Sequence, residues 1–319
     1  MTFNISEMVI AKPKPYPIVF LLDGSASMNH DGRIASLNEA IDELLHVLTK
    51  EEEEKGLSFL VSMIVFRGIE ADLIHVATSA SELFFEPIEA RSTTPLGAAL
   101  QKASALIEDK SLTPSRAYRP LVVLVCDGLP TDEWESTLES FIRSGRTAKC
   151  DRMALAVGER LPERAFEMMS KFVEGTGHEV MKAVDASDIT RFFKFVTMSV
   201  VLTTRSKNPN LIPDHREVEQ AVRSLEQIEE EEFQRLVNEM TPLGFTQSSE
   251  VSKYIQNHQL WDQYPHISGC ARMSLGWDSW RFNGAIAPKY YARLCQVLNL
   301  GDKGSGARVV DFTSYASGG

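Results

Sequence analysis

Cysteine and long apolar runs are both scarce in this chain. Its 319 residues include four cysteines, which lie far apart and form no Cys-x-x-Cys pair: Cys126, Cys150, Cys270 and Cys295. This spacing argues against a disulfide framework. No apolar run reaches the roughly 18 residues of a membrane helix, and residues 1–17 lack the basic-then-apolar pattern of a secretory leader. We therefore expect no membrane span and a cytoplasmic protein.

Positive charge is also in deficit. The formal net charge of −11 argues against binding of nucleic-acid backbones by the whole chain, and it suits a surface that binds cations or proteins. The acidity includes two short runs, Glu51–Glu54 and Glu229–Glu232, which we predict to be solvated helix faces. The length is typical of two domains rather than one.

Several catalytic motifs are missing. Ser25 stands where a haloacid-dehalogenase phosphatase needs a second carboxylate, and Gly24–Met28 does not match a Gly-x-Ser-x-Gly nucleophile elbow. No phosphate-binding Gly-x-x-x-x-Gly-Lys-Ser/Thr loop is present, and the glycine-rich segment Gly301–Gly306 is predicted to be a turn. We therefore expect a non-enzymatic protein. The alternative is an enzyme subunit whose chemistry lies after Lys207.

Short apolar runs alternate with helical periodicity through the first two-thirds of the chain. This alternation predicts an α/β fold, a doubly wound and mostly parallel sheet with right-handed crossovers, in which ligands bind beyond the carboxyl ends of the strands. The predicted strands cover residues 18–22, 59–66, 121–126 and 153–157, and the predicted helices cover 34–49, 95–107, 132–143, 162–173 and 189–201.

The remaining third predicts a second, smaller α+β domain. Residues 206–213 are polar, contain two prolines and indicate a linker, so the domains are 1–205 and 214–319. The predicted elements are helices 215–240, 250–257 (capped by Ser249) and 288–298, a hairpin over 272–285 and a strand over 307–314.

Aromatic residues are concentrated in this second domain. Trp261, Trp277 and Trp280 are predicted to form its core, with an aromatic ligand pocket as the alternative. His266 and Cys270 are four residues apart, but no second pair completes a zinc site. A mildly basic balance between Ser268 and Asp311 permits contact with nucleic acid or phosphate, but an ordinary surface is the simpler interpretation.

Oxygen-bearing side chains converge at the predicted ligand-binding edge of the sheet. Asp23, Ser25 and Ser27 follow the first strand with a spacing of two, and Asp127 follows the most apolar strand. Thr94 lies in a loop that enters a helix. Carboxylate and hydroxyl oxygens suit Mg²⁺ or Mn²⁺ better than Zn²⁺. The sequence therefore predicts a divalent-metal site at this edge.

These three segments, in this order, resemble the metal-ion-dependent adhesion site (MIDAS) of von Willebrand factor A (vWA) domains. The resemblance implies that Ser25, Ser27 and Thr94 bind the metal directly, and that Asp23 and Asp127 bind directly or through water. It also implies a Rossmann-like fold, and a partner protein whose Asp or Glu side chain completes the metal's coordination. The alternatives are a purely structural metal, or an acidic strand end with capping serines and no metal.

A narrower resemblance lies within that family. Residues 124–132 and 192–200 are similar to the corresponding segments of bacterial tellurite-resistance TerY-type proteins, and the family resemblance as a whole covers about residues 16–204. It implies a scaffold or adaptor in a bacterial stress-response or defence system, with a kinase or phosphatase among its partners.

Overall fold

The computed structural model describes residues 13–208, 212–275 and 278–300, with backbone only for 270–284. These residues form two compact units. One contains the described residues up to Ala40 and those from Val47 to Pro213, and the other contains Ile41–His46 and the described residues from Asp214 onward.

The first unit contains a six-stranded sheet in the order β3-β2-β1-β4-β5-β6. All neighbouring strands are parallel except β2 and β3, so the predicted doubly wound, mostly parallel α/β fold is confirmed. The strands are β1 (Tyr16–Asp23), β2 (Phe59–Arg67), β3 (Glu70–Ser79), β4 (Leu121–Cys126), β5 (Asp151–Val157) and β6 (Met181–Ala183). The helices are α1 (Arg33–Lys55), α2 (Leu96–Glu108), α3 (Glu135–Arg143), α4 (Glu163–Val173) and α5 (Ala186–Arg205).

The core of this unit lies around the three central strands. Every residue of β1, β4 and β5 is buried, as expected for strands covered on both faces. Burial of each Val, Leu, Ile or Phe side chain contributes roughly 1.5–3 kcal/mol. Since β1 lies beside β4, with Leu22 opposite Val125, the ends of these two strands meet where the strand order reverses. Ligands of doubly wound sheets bind at such reversal points.

Two strands were absent from the sequence prediction. β3 pairs antiparallel with β2 at the edge of the sheet, and Leu73, Ile74 and Val76 are exposed along it. Buried and exposed side chains therefore do not alternate regularly along β3. Hydrogen bonds to β2 stabilise this strand instead. β6 has only three residues, which is too short for a periodic signal.

Two helix starts lie three residues from their predicted positions, and an aspartate accounts for each difference. α3 begins at Glu135 rather than at Asp132, since the Asp132 carboxylate instead accepts hydrogen bonds from the first turn of α2. α5 begins at Ala186 rather than at Ile189, since Asp185 accepts from the backbone N–H groups of the first turn.

The second unit is built on one long helix. α6 (His215–Met240) has the predicted bounds. The other elements are α7 (Ser248–Asn257), α8 (Leu260–Gln263), β7 (Ser268–Leu275), β8 (Asp278–Ile286) and α9 (Pro288–Val297). The apolar stripe of α6 packs against α7, α8, β8 and α9. α7 is capped by Gln247 rather than by Ser249, because Glu250 accepts from the Gln247 N–H in a capping box.

The predicted hairpin is present as the antiparallel pair β7–β8. Trp261 packs against the core of this unit, in agreement with its predicted role. Trp277, the Trp280 side chain, the Cys270 side chain, the turn at Gly301–Gly306 and the strand predicted over 307–314 lie outside the described residues. None of the helices in the described part of the chain combines the length and apolar character needed to cross a membrane.

The prediction that both acidic runs are solvated helix faces was wrong for part of each run. Glu52 of α1 accepts hydrogen bonds from Phe59 N at 2.8 Å and from Ser79 Oγ at 2.7 Å. In α6, Glu229 and Glu232 are buried. Glu229 accepts from Tyr290 Oη at 2.7 Å, and Glu232 accepts from His266 N at 2.9 Å. Such carboxylates fasten distant segments to a helix because an unpaired buried charge is strongly unfavourable.

Candidate metal site

The predicted site residues belong to three loops at the carboxyl edge of the sheet. Backbone hydrogen bonds fix the first loop at Gly24, whose N–H donates to Phe66 O at 3.1 Å and whose carbonyl accepts from Arg91 N at 2.7 Å. A Cβ atom at Gly24 would lie 2.8 Å from Val65 Cγ1, so this close approach requires glycine. The turn after β1 is thereby pressed against the neighbouring strand.

Four of the five predicted residues form one hydrogen-bonded network. Asp23 Oδ1 accepts from Ser25 N at 2.8 Å, and the hydroxyls of Ser25 and Ser27 are 2.9 Å apart. Ser27 Oγ donates to Asp127 Oδ1 at 2.7 Å, which joins the loops after β1 and β4. Asp23, Ser25 and Asp127 are buried. The tertiary structure therefore brings these four side chains together.

Thr94, the fifth residue, is held through its backbone. Its N–H donates to Thr131 Oγ1 at 3.1 Å, and Thr131 N donates to Thr94 O at 2.9 Å. Thr94 is buried at the same edge, but within the described residues its hydroxyl is not joined to the network formed by the other four. The position of Thr94 therefore depends on the loop after β4, which also carries Asp127.

A carboxylate cap strengthens this connection between loops. Asp132 Oδ1 accepts from Gly97 N at 3.0 Å and Asp132 Oδ2 accepts from Ala98 N at 2.9 Å, at the start of α2. A Cβ atom at Gly97 would lie 2.6 Å from the carbonyl oxygen of Glu133, so glycine permits the close approach. Sequence reasoning assigned Asp132 to a helix start and missed this role.

The site has an excess of buried negative charge. Burial, followed by repulsion from Asp127, raises the pKa of Asp23 from 3.8 to about 6, although hydrogen bonds from Ser25 and Cys126 oppose the shift. A carboxylate that is costly to ionise, as Asp23 is, is stabilised by a bound cation. The donor set of carboxylate and hydroxyl oxygens fits a hard divalent ion.

The described residues contain no cluster of three or more His, Cys, Asp or Glu side chains suited to holding a metal. The candidate site depends instead on serine and threonine hydroxyls alongside two carboxylates. His266, considered for zinc in the sequence, has its Nδ1 atom 2.8 Å from Glu232 Oε1.

Cys126 lies directly beside the network. Its thiol is buried and donates to Asp23 Oδ2 at 3.1 Å, a contact that the sequence did not reveal. Burial and the neighbouring Asp23 charge raise the pKa of Cys126 well above its usual value. Because the thiolate is the reactive form, this environment argues against Cys126 as a redox switch.

Arg33 is a second residue that sequence reasoning missed. It is the first residue of α1, and its Nη1 atom lies 3.3 Å from Asp127 Oδ2. The pair joins residues that are 94 positions apart, and the sequence carries no sign of this beyond a basic residue shortly after the serine motif.

Several solved structures share this architecture at low sequence identity. The ArnB paralog VWA2 from Sulfolobus acidocaldarius is 15% identical over 59% of this chain and 46% of its own, with a TM-score of 0.45. Proximal thread matrix protein 1 from the mussel byssus is 13% identical over 58% of this chain and 48% of its own, with a TM-score of 0.46. The pilus adhesin SpaC from Lactobacillus rhamnosus GG is 13% identical over 59% and 31%, with a TM-score of 0.48.

This chain matches less than half of the length of each of these proteins. One structure of the mussel protein has a zinc-occupied MIDAS motif. Because the TM-scores are below 0.5, these similarities indicate nothing about the metal, the partner or the function of this chain. No protein-family model and no curated protein matches the sequence. The resemblance to vWA domains therefore rests on the residues of this chain alone.

Proposed function

We propose that this chain is a non-enzymatic, metal-dependent interaction protein with a vWA-type adhesion site. The observation that carries the proposal is the buried network of Asp23, Ser25, Ser27 and Asp127 at the reversal point between β1 and β4. The negative charge of its two carboxylates exceeds the positive charge of the neighbouring side chains. Its oxygens suit Mg²⁺ or Mn²⁺.

The residues divide between metal binding and support. Ser25, Ser27 and Thr94 would hold the ion directly, while Asp23 and Asp127 would hold it directly or through water. The bound ion supplies a coordination position for an Asp or Glu carboxylate of the partner, a contact that is strong because it is charge-assisted and partly desolvated.

We further propose a setting for this interaction. Residues 124–132 and 192–200 resemble TerY-type proteins, which favours a scaffold or adaptor in a bacterial stress-response or defence system, with a kinase or phosphatase as partner. A pulldown from the native host, with and without chelator, tests this proposal. If the same amount of partner is captured in both conditions, the proposed metal-dependent interaction is contradicted.

Metal binding itself is tested by thermal unfolding of the full chain. At a metal concentration near 100 times Kd, Mg²⁺ or Mn²⁺ should stabilise the native state by about 2.7 kcal/mol. For a unit of this size that stabilisation corresponds to a rise in Tm of roughly 5–10 °C. The same measurement with Zn²⁺ compares the response to this ion with the response to Mg²⁺ and Mn²⁺.

Matched double variants make the test specific. Asp23→Ala with Ser25→Ala should abolish the metal-dependent rise. Asp109→Ala with Ser111→Ala removes the same residue types from an exposed loop, where Ser111 N donates to Asp109 Oδ1 at 2.8 Å, and should leave the rise intact. An equal metal response in both double variants would refute the proposed site.

A further inference from the structure

A guanidinium lies at the candidate metal site. Arg33 Nη1 is 3.3 Å from Asp127 Oδ2, and the Asp127 side chain is fully buried while that of Arg33 is 21% exposed. The second acidic neighbour of Arg33, Asp31, is 3.6 Å away and 83% exposed, so water screens it. Asp127 is therefore the principal partner of Arg33.

Gly158 leaves room for this guanidinium. A Cβ atom at Gly158, the residue after β5, would lie 3.3 Å from Arg33 Nη2 and 3.4 Å from Cζ. Gly158 has a φ of +116°, which residues with side chains rarely adopt. The Arg33 guanidinium therefore lies close to the end of β5 as well as to Asp127 after β4.

We propose that Arg33 sets the metal affinity of this site by balancing Asp127 in the metal-free protein and opposing the charge of a bound cation. This inference rests on the proposed function. A cation bound by Asp127 shares one carboxylate with the guanidinium. The distance between the cation and the guanidinium is then well below the screening length of about 8–10 Å at physiological salt. In a partly buried site such repulsion is several times larger than in water.

The same charge links metal binding to partner binding. When metal is bound without a partner, Arg33 makes the net charge of the site more positive. A carboxylate from the partner then offsets this positive charge. Metal and an acidic partner therefore bind cooperatively, each raising the affinity for the other by the same factor. Arg33 acts through Asp127 and the local charge, without being a ligand itself.

Calorimetric titration of the full chain with Mg²⁺ and Mn²⁺ tests this role. Arg33→Gln should bind metal at least about tenfold more tightly than the wild type, because a nearby positive charge is gone. Arg33→Lys keeps the charge and should bind like the wild type. Arg143→Gln removes the same charge from the exposed last turn of α3 and should leave the affinity unchanged.

The sign of the effect separates charge balance from simple positioning of Asp127. If Arg33 only oriented that carboxylate, Arg33→Gln would bind metal more weakly, and this result or an unchanged affinity would overturn the inference. The difference in metal affinity between the wild type and Arg33→Gln should also shrink as ionic strength rises. If Arg33→Gln fails to fold, Arg33→Met keeps a long unbranched side chain without the charge and takes its place in the same titration.

Failure of the inference is distinguishable from failure of the proposed function. A wild type that binds metal, with an Arg33→Gln variant that binds no more tightly, refutes the role of Arg33 alone. If neither protein binds Mg²⁺ or Mn²⁺, the metal site is refuted, and the inference falls with it.

Discussion

At the scale of single residues, Asp23 has a carboxyl group whose ionisation the fold opposes. It is buried, it faces Asp127, and its pKa is raised from 3.8 to about 6. The folded metal-free protein therefore holds a proton that the unfolded chain has lost between these two values. That preference stabilises the native state at low pH, and the stabilisation is lost as pH rises through about 6.

This linkage predicts a pH-dependent stability that metal reverses. In chelator, the free energy of unfolding should fall by about 2 kcal/mol between pH 4 and 7, relative to the Asp23→Asn variant. With saturating Mg²⁺ the loss should disappear, because metal binds the ionised carboxylate. Urea denaturation at several pH values measures both curves. Parallel curves for wild type and Asp23→Asn in chelator would contradict the prediction.

At the scale of structural elements, Asp132 ties α2 to the loop after β4. Its carboxylate caps α2 through Gly97 N and Ala98 N, next to the backbone bonds between Thr131 and Thr94. The loop that supplies Thr94 and the loop that supplies Asp127 are therefore held together. We therefore expect the geometry of the candidate metal site to depend on this cap, although Asp132 is not itself a proposed ligand.

Asp132→Ala should consequently weaken metal binding as well as stability. Loss of a helix cap costs about 0.5–2 kcal/mol of stability, and the freed loop should lower Mg²⁺ affinity in a calorimetric titration. Asp185→Ala is the matched control, since Asp185 caps α5 through Ser187 N and Asp188 N and belongs to none of the three loops that carry the predicted site residues. It should reduce stability similarly while leaving affinity unchanged. Equal affinity losses in the two variants would show that the cap of α2 has no special role.

The acidic residues of α6 act at the same scale. Glu229 and Glu232 accept hydrogen bonds from Tyr290 and His266, and Glu230 pairs with Arg293 at 2.6 Å. Three glutamates of this run thus join α9 and the segment before β7 to one helix. In the sequence the run is indistinguishable from a solvated face, because the partners lie more than thirty residues away.

At the scale of the whole molecule, the chain divides into two compact units near Pro213. The sequence predicts a linker over residues 206–213 from its polarity and its two prolines. Limited proteolysis should therefore cut first in this segment and release a stable fragment that ends near Arg205. Mass spectrometry of the early fragments measures the cut sites. First cleavage between Leu121 and Val157 would contradict the boundary.

The sequence by itself determined the features that depend on near neighbours. Continuous apolar runs defined β1 and β4 because both strands are buried on two faces, and helical spacing defined α6 to the residue. The serine motif after β1 and the aspartate after β4 indicated a common edge, since parallel strands present their carboxyl ends together.

Only the tertiary structure decided which distant groups meet. Arg33 reaches Asp127 across 94 positions, and Asp132 caps a helix 35 positions earlier. Such contacts depend on strand order and on the entry angle of each helix, which leave no periodic trace in the sequence. The antiparallel edge strand β3 was missed for a related reason, because its stability comes from pairing with β2 rather than from its own pattern. Local chemistry therefore defined the candidate ligands, whereas long-range packing determined the charge that surrounds them.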